Sequence, residues 1–357
     1  MALTLTSLTQ IPGLGFDAVI DVRSPSEFAE DHLPGAINLP VLDDAERAQI
    51  GTIYKQQSPF LARKLGAALV ARNAAAHLEG PLAQMTGGWR PLVYCWRGGQ
   101  RSGSFATILQ QVGWRVELVQ GGYKAWRSLV VTELTDRPVA APVVVLDGNT
   151  GTAKTEILGL LAARGVQVID LEGLANHRGS LFGQRAGGQP SQREFEGCLA
   201  VALAALDPAR PVVVEAESSR IGNLMLPKQL WAAMVVAPRI RIAAPLAARA
   251  AYLARAYADM TADRARLVQV VESLKHLHPA ERIADWVAQA EQGAFESLAA
   301  GLMQDHYDHR YEKHRARFAG QGDVVLEAGS LLPDALTALA DRVTASLPGM
   351  RNFTLPR

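Results

Sequence analysis

The stretch LVYCWRGGQRS, residues 92–102, joins an apolar run to a loop with two glycines and two arginines. A helical pattern, SGSFATILQQVGW, begins at Ser102. This order predicts a strand that ends at Cys95, a glycine-rich turn and a helix. The sulfur would lie at a helix N-terminus, where backbone N–H groups and two arginines favour the thiolate. We therefore predict a reactive Cys95 with Arg97 and Arg101 beside it, in a loop completed by Trp96, Gly98, Gly99, Gln100 and Ser102.

Short apolar runs alternate with helical stretches on both sides of this loop. The runs DAVIDVR, PLVYC and RVELVQGG are predicted strands, and SPSEFAEDH, the segment after Cys95 and YKAWRSLVVTEL are predicted helices. Such alternation predicts an α/β fold with a parallel sheet. The segment TDRPVAAP, residues 135–142, has two prolines and no periodicity, which indicates a linker. We accordingly predict a first domain over residues 1–136 and a second over residues 137–357.

Composition narrows the class of protein. The chain has 357 residues, of which 48% are hydrophobic, so it can bury two cores. Its net charge of +1 means that any polyanion must meet local basic clusters rather than a strong overall field. Two cysteines cannot build a disulfide framework, and their spacing matches no zinc pattern. With no signal-peptide pattern and no apolar run of about 18 residues, we predict a cytoplasmic protein that does not contact membranes.

The second domain opens with VVVLDGNTGTAKTEIL, residues 143–158, which is again a strand, a loop and a helix. Its spacing follows the P-loop pattern, except that Ala153 stands where the second glycine is required. Lys154 would reach the phosphates and Thr155 would hold a magnesium ion. We expect a P-loop NTPase-like α/β domain, mainly helical after about residue 245. The predicted phosphate-binding residues are Gly148, Asn149, Thr150, Gly151, Thr152, Ala153, Lys154 and Thr155.

Three acidic residues end or follow apolar strands of this domain, where P-loop proteins place a metal-directed carboxylate. They are Asp170, after VQVI, and Glu215 and Glu217, after RPVVV. For each one singly, an acid at the surface is an equally good interpretation. The identity of any metal, beyond a candidate magnesium ion, stays open.

The motifs of the first third resemble the rhodanese family, namely DVRSPSEFAEDHLPGAINLP, YCWRGGQRS and VELVQGGYKAW. Together with DGNTGTAKTEIL, ANHRGSLFG, QREFE and VEAESSRIGN, they resemble the tRNA 2-selenouridine synthase family. The resemblance implies that 2-thiouridine at the tRNA wobble position is geranylated by geranyl diphosphate. Selenium from selenophosphate then replaces the S-geranyl group through Cys95, as the selenium analogue of a persulfide. The resemblance implies no tightly bound cofactor. It also agrees with a transient contact between this protein and an enzyme that produces selenophosphate.

Other functions stay open from the residues alone. Cys95 and Arg101 form Cys-x5-Arg, the spacing of phosphatases in which the arginine grips phosphate. A phosphatase or a rhodanese-type sulfurtransferase fused to a nucleotide-binding regulator is therefore an alternative. A non-enzymatic RNA-binding protein is a third, disfavoured by the intact cysteine loop.

Basic residues mixed with aromatic ones suit contact with tRNA phosphates and bases. One such segment, around Tyr252 and Tyr257, has Arg239, Arg241, Arg249 and Arg255. Another, around Tyr307 and Tyr311, has Arg310, Lys313, His314, Arg315 and Arg317. A third candidate group is His177, Arg178 and Arg185. Solvated faces of amphipathic helices would give the same pattern. Cys198, within the helical pattern EGCLAVALAAL, is predicted to lie in the core.

Overall fold

The computed structural model of the chain describes residues 2–315 and 323–352. It forms two compact units. The first contains the residues up to Arg137 together with Pro190–Ala205, and the second contains Pro138–Gln189 and the residues from Leu206 onward. The predicted boundary at residue 136 lies beside the first crossing between the units. The return of residues 190–205 to the first unit was not part of the sequence prediction.

The first unit is built on a parallel sheet of five strands in the order β1-β5-β4-β2-β3. All four residues of the central β4 are buried, as expected of a strand that is covered on both faces. The strands are β1 (Ala2–Leu3), β2 (Ala18–Asp21), β3 (Ile37–Asn38), β4 (Pro91–Tyr94) and β5 (Glu117–Val119). The predicted parallel α/β sheet is thus confirmed, and β4 delivers Cys95 at its carboxyl end.

Five helices precede the second unit. Their bounds are α1 (Pro25–Glu30), α2 (Asp44–Gln56), α3 (Pro59–Glu79), α4 (Gln100–Val112) and α5 (Gly122–Val131), with a 3-10 turn over Ile11–Leu14 and a π turn over Thr132–Asp136. Helix α1 begins as its sequence predicts, with Ser24 and Glu27 in a capping box and Pro25 at the first helical position. The α2–α3 pair is absent from the sequence prediction.

The second unit has its own parallel sheet, in the order β12-β11-β6-β8-β7. Its strands are β6 (Val143–Gly148), β7 (Gln167–Ile169), β8 (Val212–Glu215), β11 (Arg239–Ala243) and β12 (Val324–Glu327), and β9 (Arg220–Ile221) pairs antiparallel with β10 (Leu224–Met225). The helices between the strands are α6 (Lys154–Ala163), α7 (Leu171–Leu174), α8 (Gln192–Ala204) and α9 (Lys228–Val236). The P-loop follows β6, the middle strand of the sheet.

Helix α8 packs in the first unit, although it lies between two segments of the second. A Cβ atom on Gly197 would lie 2.5 Å from the Trp126 ring, so only glycine permits this approach. Arg127 forms an ion pair with Glu196 at the same contact. Cys198, predicted to be a core residue, is half-buried in α8. Burial, with Glu194 and Asp31 nearby, raises the pKa of its thiol and keeps it protonated at neutral pH.

The chain after Ala243 is mainly helical, as predicted. Its helices are α10 (Leu246–Ala256), α11 (Ala258–Ala262), α12 (Arg264–Glu272), α13 (Ala280–Gln292), α14 (Phe295–Leu302), α15 (Asp308–Arg315) and α16 (Pro333–Ser346), with 3-10 turns over Ser273–His276 and Leu347–Asn352 and a π turn over Met303–Tyr307. Trp286, fully buried, lies in the core cluster of this helical portion. Across residues 2–315 and 323–352, no helix is long and apolar enough to cross a bilayer.

Candidate functional site

The first candidate site is the loop between β4 and α4, here called the thiol loop (residues 95–102). Cys95 is only 3% exposed, at the end of the buried strand. The hydroxyl of Ser102 donates a hydrogen bond to its Sγ atom over 3.1 Å. Because Ser102 belongs to the first turn of α4, the sulfur lies at the positive end of that helix, where negative charge is stabilised.

Glycines allow a second turn to close on the thiol loop. The amide of Tyr123 donates to the Cys95 carbonyl over 2.9 Å. A Cβ atom on Gly122 would lie 2.2 Å from that same carbonyl oxygen, and one on Gly98 would lie 2.8 Å from the Val119 carbonyl. Both glycines have positive φ, +57° and +66°. The thiol loop is therefore held rigidly by backbone contacts that a side chain at either position would prevent.

The two arginines of the thiol loop differ in what they can bind. The Arg101 guanidinium donates to both carboxylate oxygens of Glu27, over 2.7 and 3.4 Å. Arg47 approaches the same carboxylate at 3.3 Å. Burial raises the pKa of Glu27, but the Arg101 and Arg47 contacts outweigh it, so the pKa lies below its usual range. Arg97 is exposed. Of the two arginines proposed to hold an oxyanion, Arg101 is engaged by Glu27 and Arg97 faces solvent.

A buried polar network supports the thiol loop. Asp21 and Arg23 form an ion pair at 2.6 Å, and both are almost fully buried. The Arg23 guanidinium lies 4.1 Å from the centre of the Tyr123 ring, and the Tyr123 hydroxyl donates to Asp31 over 2.6 Å. Burial and the Asp31 contact raise the pKa of Tyr123. Trp96 packs on Tyr123 with ring centres 5.2 Å apart. This network fixes the turn that carries Cys95.

The second candidate site is the P-loop, residues 148–155, which joins β6 to α6. The Lys154 Nζ atom donates to the Gly148 carbonyl over 3.0 Å, so the lysine folds back over the loop. Gly151 has a φ of +83°, and a Cβ atom there would lie 2.9 Å from the Arg249 carbonyl. Burial lowers the pKa of Lys154, but Tyr311 and three nearby acids outweigh it, so the pKa is raised. The lysine is therefore a permanent positive charge in the loop.

Ala153 occupies the position at which the sequence departs from the P-loop pattern. It has φ +60° and ψ +29°, in the left-handed region, and lies at the N-cap of α6. Its side chain is 3% exposed. The chain thus keeps the left-handed backbone that a glycine would supply, at a cost of about 1–2 kcal/mol for a residue with a Cβ atom. The substitution preserves the loop's shape.

Carboxylates gather behind Lys154 and Thr155. The Thr155 hydroxyl donates to Glu172 Oε2 over 3.0 Å, and the Glu172 amide donates to Glu215 Oε1 over 2.7 Å. Glu215 is fully buried, and its Oε2 atom has no hydrogen-bond partner within the described part of the chain. Burial and then neighbouring acids raise its pKa well above the usual range. Burial and then Glu172 raise the pKa of Glu217 to about 8.

The acids that lie at the P-loop are not all those predicted from the sequence. Asp170 caps α7 by accepting a hydrogen bond from the Gly173 amide over 2.7 Å, which gives it a structural task. Glu172, two residues on, is the acid that contacts Thr155, and it is absent from the sequence prediction. The only sequence signal is its place just after a strand-ending aspartate. Within residues 2–315 and 323–352, no group of three or more His, Cys, Asp or Glu side chains could hold a metal ion.

Two cavities meet beside the P-loop. The polar one encloses about 930 Å³, including space open to solvent, and is lined by the P-loop with Glu172, Arg178, Arg185 and Tyr311 among others. The apolar one encloses about 560 Å³ on the same measure. Its walls come mainly from α10, α11 and α14, with residues such as Phe182, Met260, Leu267, Phe295, Leu298 and Leu302. Thr150, Ser180, Leu253 and Tyr257 line both. The P-loop thus lines a polar cavity that adjoins an apolar one.

Two of the predicted RNA-binding arginines, Arg239 and Arg249, are not at the surface. Arg249 is 6% exposed and forms a bidentate ion pair with Asp308, with distances of 2.9 and 2.8 Å. Arg239 is 4% exposed and pairs with Asp147. Arg255 is exposed, although it donates to the Leu331 carbonyl over 3.1 Å, and Arg241 is half-buried. The prediction is therefore wrong for Arg249 and Arg239, because both side chains are buried and paired with acids that lie far away in sequence.

The remaining predicted RNA-binding residues divide between the cavity and α15. Arg178, paired with Asp259 at 2.8 Å, and Arg185, 4.0 Å from Glu172, line the polar cavity. His177 is 8% exposed. Burial, and to a smaller extent the charge of Arg185, lowers the pKa of its imidazole, so the side chain is buried and neutral. Arg310 and Lys313 are exposed on α15. The other three predicted positions lack a described side chain; they are His314, Arg315 and Arg317, of which Arg317 lies outside the described residues.

Family models match both units. Residues 5–129 match the rhodanese-like domain, and residues 141–285 match the tRNA 2-selenouridine synthase AAA domain. The tRNA 2-selenouridine synthase of Chromohalobacter salexigens is 41% identical over 250 residues, which cover 68% of this chain and 65% of that protein. The one of Alcanivorax borkumensis is 41% identical over 65% of this chain and 64% of that protein. The matches to these two relatives therefore span slightly less than two thirds of their length.

A longer match comes from Shewanella frigidimarina. Its tRNA 2-selenouridine synthase is 34% identical over 293 residues, covering 81% of this chain and 78% of that protein. Both the thiol loop and the P-loop lie within residue ranges that the family models match. The two loops, the two domain matches and this coverage lead to one conclusion. The chain belongs to the tRNA 2-selenouridine synthase family.

Proposed function

We propose that this protein converts 2-thiouridine at the wobble position of tRNA to 2-selenouridine in two half-reactions. In the first, geranyl diphosphate alkylates the sulfur. In the second, selenium from selenophosphate replaces the S-geranyl group. The observation that carries the proposal is the junction of the two cavities, because a polar P-loop cavity with an apolar extension suits a diphosphate attached to a hydrocarbon chain. The shared walls at Thr150, Ser180, Leu253 and Tyr257 mark where the two parts of the ligand would meet.

The diphosphate belongs in the polar cavity. Backbone N–H groups at the start of α6 and the Lys154 ammonium favour negative charge there. If a magnesium ion accompanies the diphosphate, the Thr155 hydroxyl and Glu172, 3.0 Å apart, would hold it and neutralise phosphate charge. As the uridine sulfur bonds to the geranyl carbon, the bond from that carbon to diphosphate oxygen breaks. The same positive groups stabilise the departing diphosphate.

The geranyl chain belongs in the apolar cavity. Its lining is dominated by aliphatic and aromatic side chains from the helical portion, the kind of wall that buries a hydrocarbon ligand. A nucleotide would place a ribose and a base beyond the phosphates, and both carry polar groups that such walls leave unsatisfied. The lining therefore favours a prenyl diphosphate over ATP or GTP.

The second half-reaction is assigned to the thiol loop. Selenium bonds to C2 of the uridine, the carbon–sulfur bond breaks, and geranylthiol leaves. Water cleaves the phosphorus–selenium bond and releases phosphate, so the step needs no oxidant. Cys95 is the proposed reactive thiol of this step, with Ser102 donating to its sulfur and exposed Arg97 available to the selenophosphate oxygens. A Cys-x5-Arg phosphatase is disfavoured, because the Arg101 guanidinium that would bind phosphate already donates hydrogen bonds to Glu27.

The junction of the cavities can be tested by binding alone. Titration calorimetry would compare geranyl diphosphate with inorganic diphosphate and ATP on the wild type and on Ala299→Phe, which adds a ring to the apolar lining. We expect Ala299→Phe to weaken the affinity for geranyl diphosphate at least tenfold and to leave the affinity for inorganic diphosphate unchanged. Ser297→Phe is the matched control, because it adds the same ring at an exposed position of α14. Tight ATP binding with no measurable binding of geranyl diphosphate would instead support a nucleotide-dependent regulator.

A further inference from the structure

The helical pair α2–α3 and its connection, residues 44–79, are here called the basic hairpin. Positive charge is concentrated in its middle, and its three acids, Asp44, Glu46 and Glu79, lie at its two ends. From residue 47 to residue 78 the sequence has five Lys or Arg residues and not one Asp or Glu. They are Arg47, Lys55, Arg63, Lys64 and Arg72. Because the whole chain carries a net charge of only +1, this run is a local positive surface on a nearly neutral protein.

Two large aromatic side chains project from the basic hairpin near its turn. Phe60 is 71% exposed, more than any other large hydrophobic residue in the described part of the chain, and Tyr54 is 56% exposed. Tyr54 lies in the last turn of α2 and Phe60 in the first turn of α3. The turn therefore presents rings to solvent where the local charge is positive.

On α3, a ring and two cations share one face. Phe60, Arg63 and Lys64 are spaced i, i+3 and i+4 on α3, so they lie on one face. All three are exposed. On α2, Lys55 is adjacent to Tyr54 and is also exposed. Aromatic rings among lysines and arginines are the combination that stacks bases while neutralising the neighbouring phosphates.

The basic hairpin is connected to the thiol loop. Arg47, in the first turns of α2, contacts Glu27 at 3.3 Å, and Glu27 is the acid that holds Arg101 of the thiol loop. A chain of three charged side chains thus links the base of the hairpin to the helix that begins beside Cys95. The base of the hairpin therefore lies beside the thiol loop.

We propose that the basic hairpin is a tRNA-binding surface of the first unit. Lys55, Arg63 and Lys64 contact phosphates, and Tyr54 and Phe60 stack unpaired bases. The identity of the RNA rests on the proposed function, in which the reacting uridine belongs to the single-stranded anticodon loop. Single-stranded loops expose the base faces that aromatic side chains recognise. This surface is separate from the arginine clusters of the second unit, of which Arg249 and Arg239 are buried.

The test uses the full-length protein and two double variants at exposed positions, Arg63→Ala/Lys64→Ala and Tyr54→Ala/Phe60→Ala. Fluorescence titrations would measure the Kd for an unmodified tRNA transcript and for its anticodon stem-loop between about 50 and 200 mM salt. Arg115→Ala/Lys228→Ala is the matched control, since it removes two exposed cations elsewhere. Circular dichroism and Tm values establish that each variant is folded.

We expect the charge variant to reduce the slope of log K against log salt by about 1.4–1.8, which corresponds to two lost phosphate contacts. The aromatic variant should raise the Kd roughly 5- to 100-fold with little change in slope, because stacking is lost and charge is not. The control should change the Kd less than about twofold. In turnover, both hairpin variants should raise the KM for tRNA and leave the KM for geranyl diphosphate unchanged.

Two results would overturn the inference while leaving the proposed function intact. One is wild-type tRNA affinity and salt slope in both hairpin variants. The other is a loss of binding to anionic phosphatidylserine vesicles with tRNA binding unchanged, which would make the hairpin a membrane-contacting surface. A wild-type protein that binds no tRNA under any of these conditions would overturn the proposed function and the inference together.

Discussion

The thiol loop and the P-loop are built alike and present different chemistry. Each follows the middle strand of a parallel sheet, and each turns into a helix N-terminus. The thiol loop is closed from behind by the Gly121–Gly122 turn and presents one buried sulfur. The P-loop lines a polar cavity that adjoins an apolar one. One architecture therefore yields a closed loop around a single sulfur atom and a loop that lines an open cavity.

The two loops also differ in how they tolerate left-handed backbone. In the thiol loop and the turn behind it, glycine occupies each position of positive φ, at residues 98, 121 and 122. In the P-loop, Gly151 and Ala153 share that role. A Cβ atom at Gly122 would collide with backbone, whereas the Cβ atom of Ala153 is accommodated in the core beneath the loop. Backbone contact, rather than φ alone, decides where glycine is indispensable.

The largest expected effect is on the P-loop charge. Lys154→Ala should reduce geranyl transfer at least 100-fold, because it removes the cation that stabilises the departing diphosphate. Single-turnover assays with geranyl diphosphate and thiolated tRNA would measure it. Arg164→Ala, which removes a cation at the far end of α6, is the control. Its rate of geranyl transfer should stay within about twofold of the wild-type rate. Unchanged geranyl transfer in Lys154→Ala would remove the P-loop from the first half-reaction.

The next effect concerns the backbone contact behind Cys95. Gly122→Ala should lower the free energy of unfolding of the first unit by about 2 kcal/mol or more, because strain at positive φ adds to the collision with the Cys95 carbonyl. Gly113→Ala is the comparison. It also has positive φ, but no heavy atom lies within 4 Å of its Cβ position. Urea unfolding should give a smaller loss for Gly113→Ala, and equal losses would mean that the contact contributes nothing.

A smaller effect is expected from the acids behind the P-loop. The pKa of Glu217 is about 8 in the folded protein and near 4.5 in the unfolded chain. Between these values the folded state binds more protons, so this group's contribution to stability is lost as pH rises from about 4.5 through 8. Glu217→Gln should therefore become progressively more stable relative to the wild type over this window. Urea unfolding at pH 5, 7 and 9 measures it, and a pH-independent difference would contradict the raised pKa.

The smallest effect is expected at Ala153. Ala153→Gly should stabilise the second unit by at most about 1 kcal/mol, since it relieves left-handed strain but gives the unfolded chain more freedom. Because the backbone already has the required shape, geranyl diphosphate affinity should change less than about threefold. Thermal unfolding and calorimetry check both statements. A destabilised variant would mean that the packing of the Ala153 methyl group outweighs the strain.

What the sequence predicted well was local. Both loops, their flanking strands and the α1 capping box follow from short motifs whose residues are neighbours in the chain. What it missed depends on distant partners. Glu172 becomes a site residue only because α7 places it against Thr155, and Arg249 is withdrawn from the surface by Asp308, 59 residues away. Nothing in either residue's own neighbourhood signals the partner.

The path of the chain was also beyond local patterns. Helix α8 follows a P-loop-domain segment and precedes β8, so adjacency in sequence assigns it to the second unit. Its place in the first depends on Gly197 admitting the Trp126 ring, a contact between residues 71 positions apart. The helices of the basic hairpin were not predicted for another reason, which is that long alanine-rich runs give weak helical periodicity. Its charge run, in contrast, is readable from sequence alone.

The central claim is that the two loops divide one conversion between them. Mass spectrometry of nucleosides from thiolated tRNA, incubated with geranyl diphosphate and selenophosphate, tests it most directly when wild type, Cys95→Ser, Cys198→Ala and Lys154→Ala are compared. The account predicts 2-selenouridine from the wild type and from Cys198→Ala, accumulated S-geranyl-2-thiouridine from Cys95→Ser, and unreacted 2-thiouridine from Lys154→Ala. Full 2-selenouridine formation by Cys95→Ser, or equal loss of geranylation in Cys95→Ser and Lys154→Ala, would contradict it.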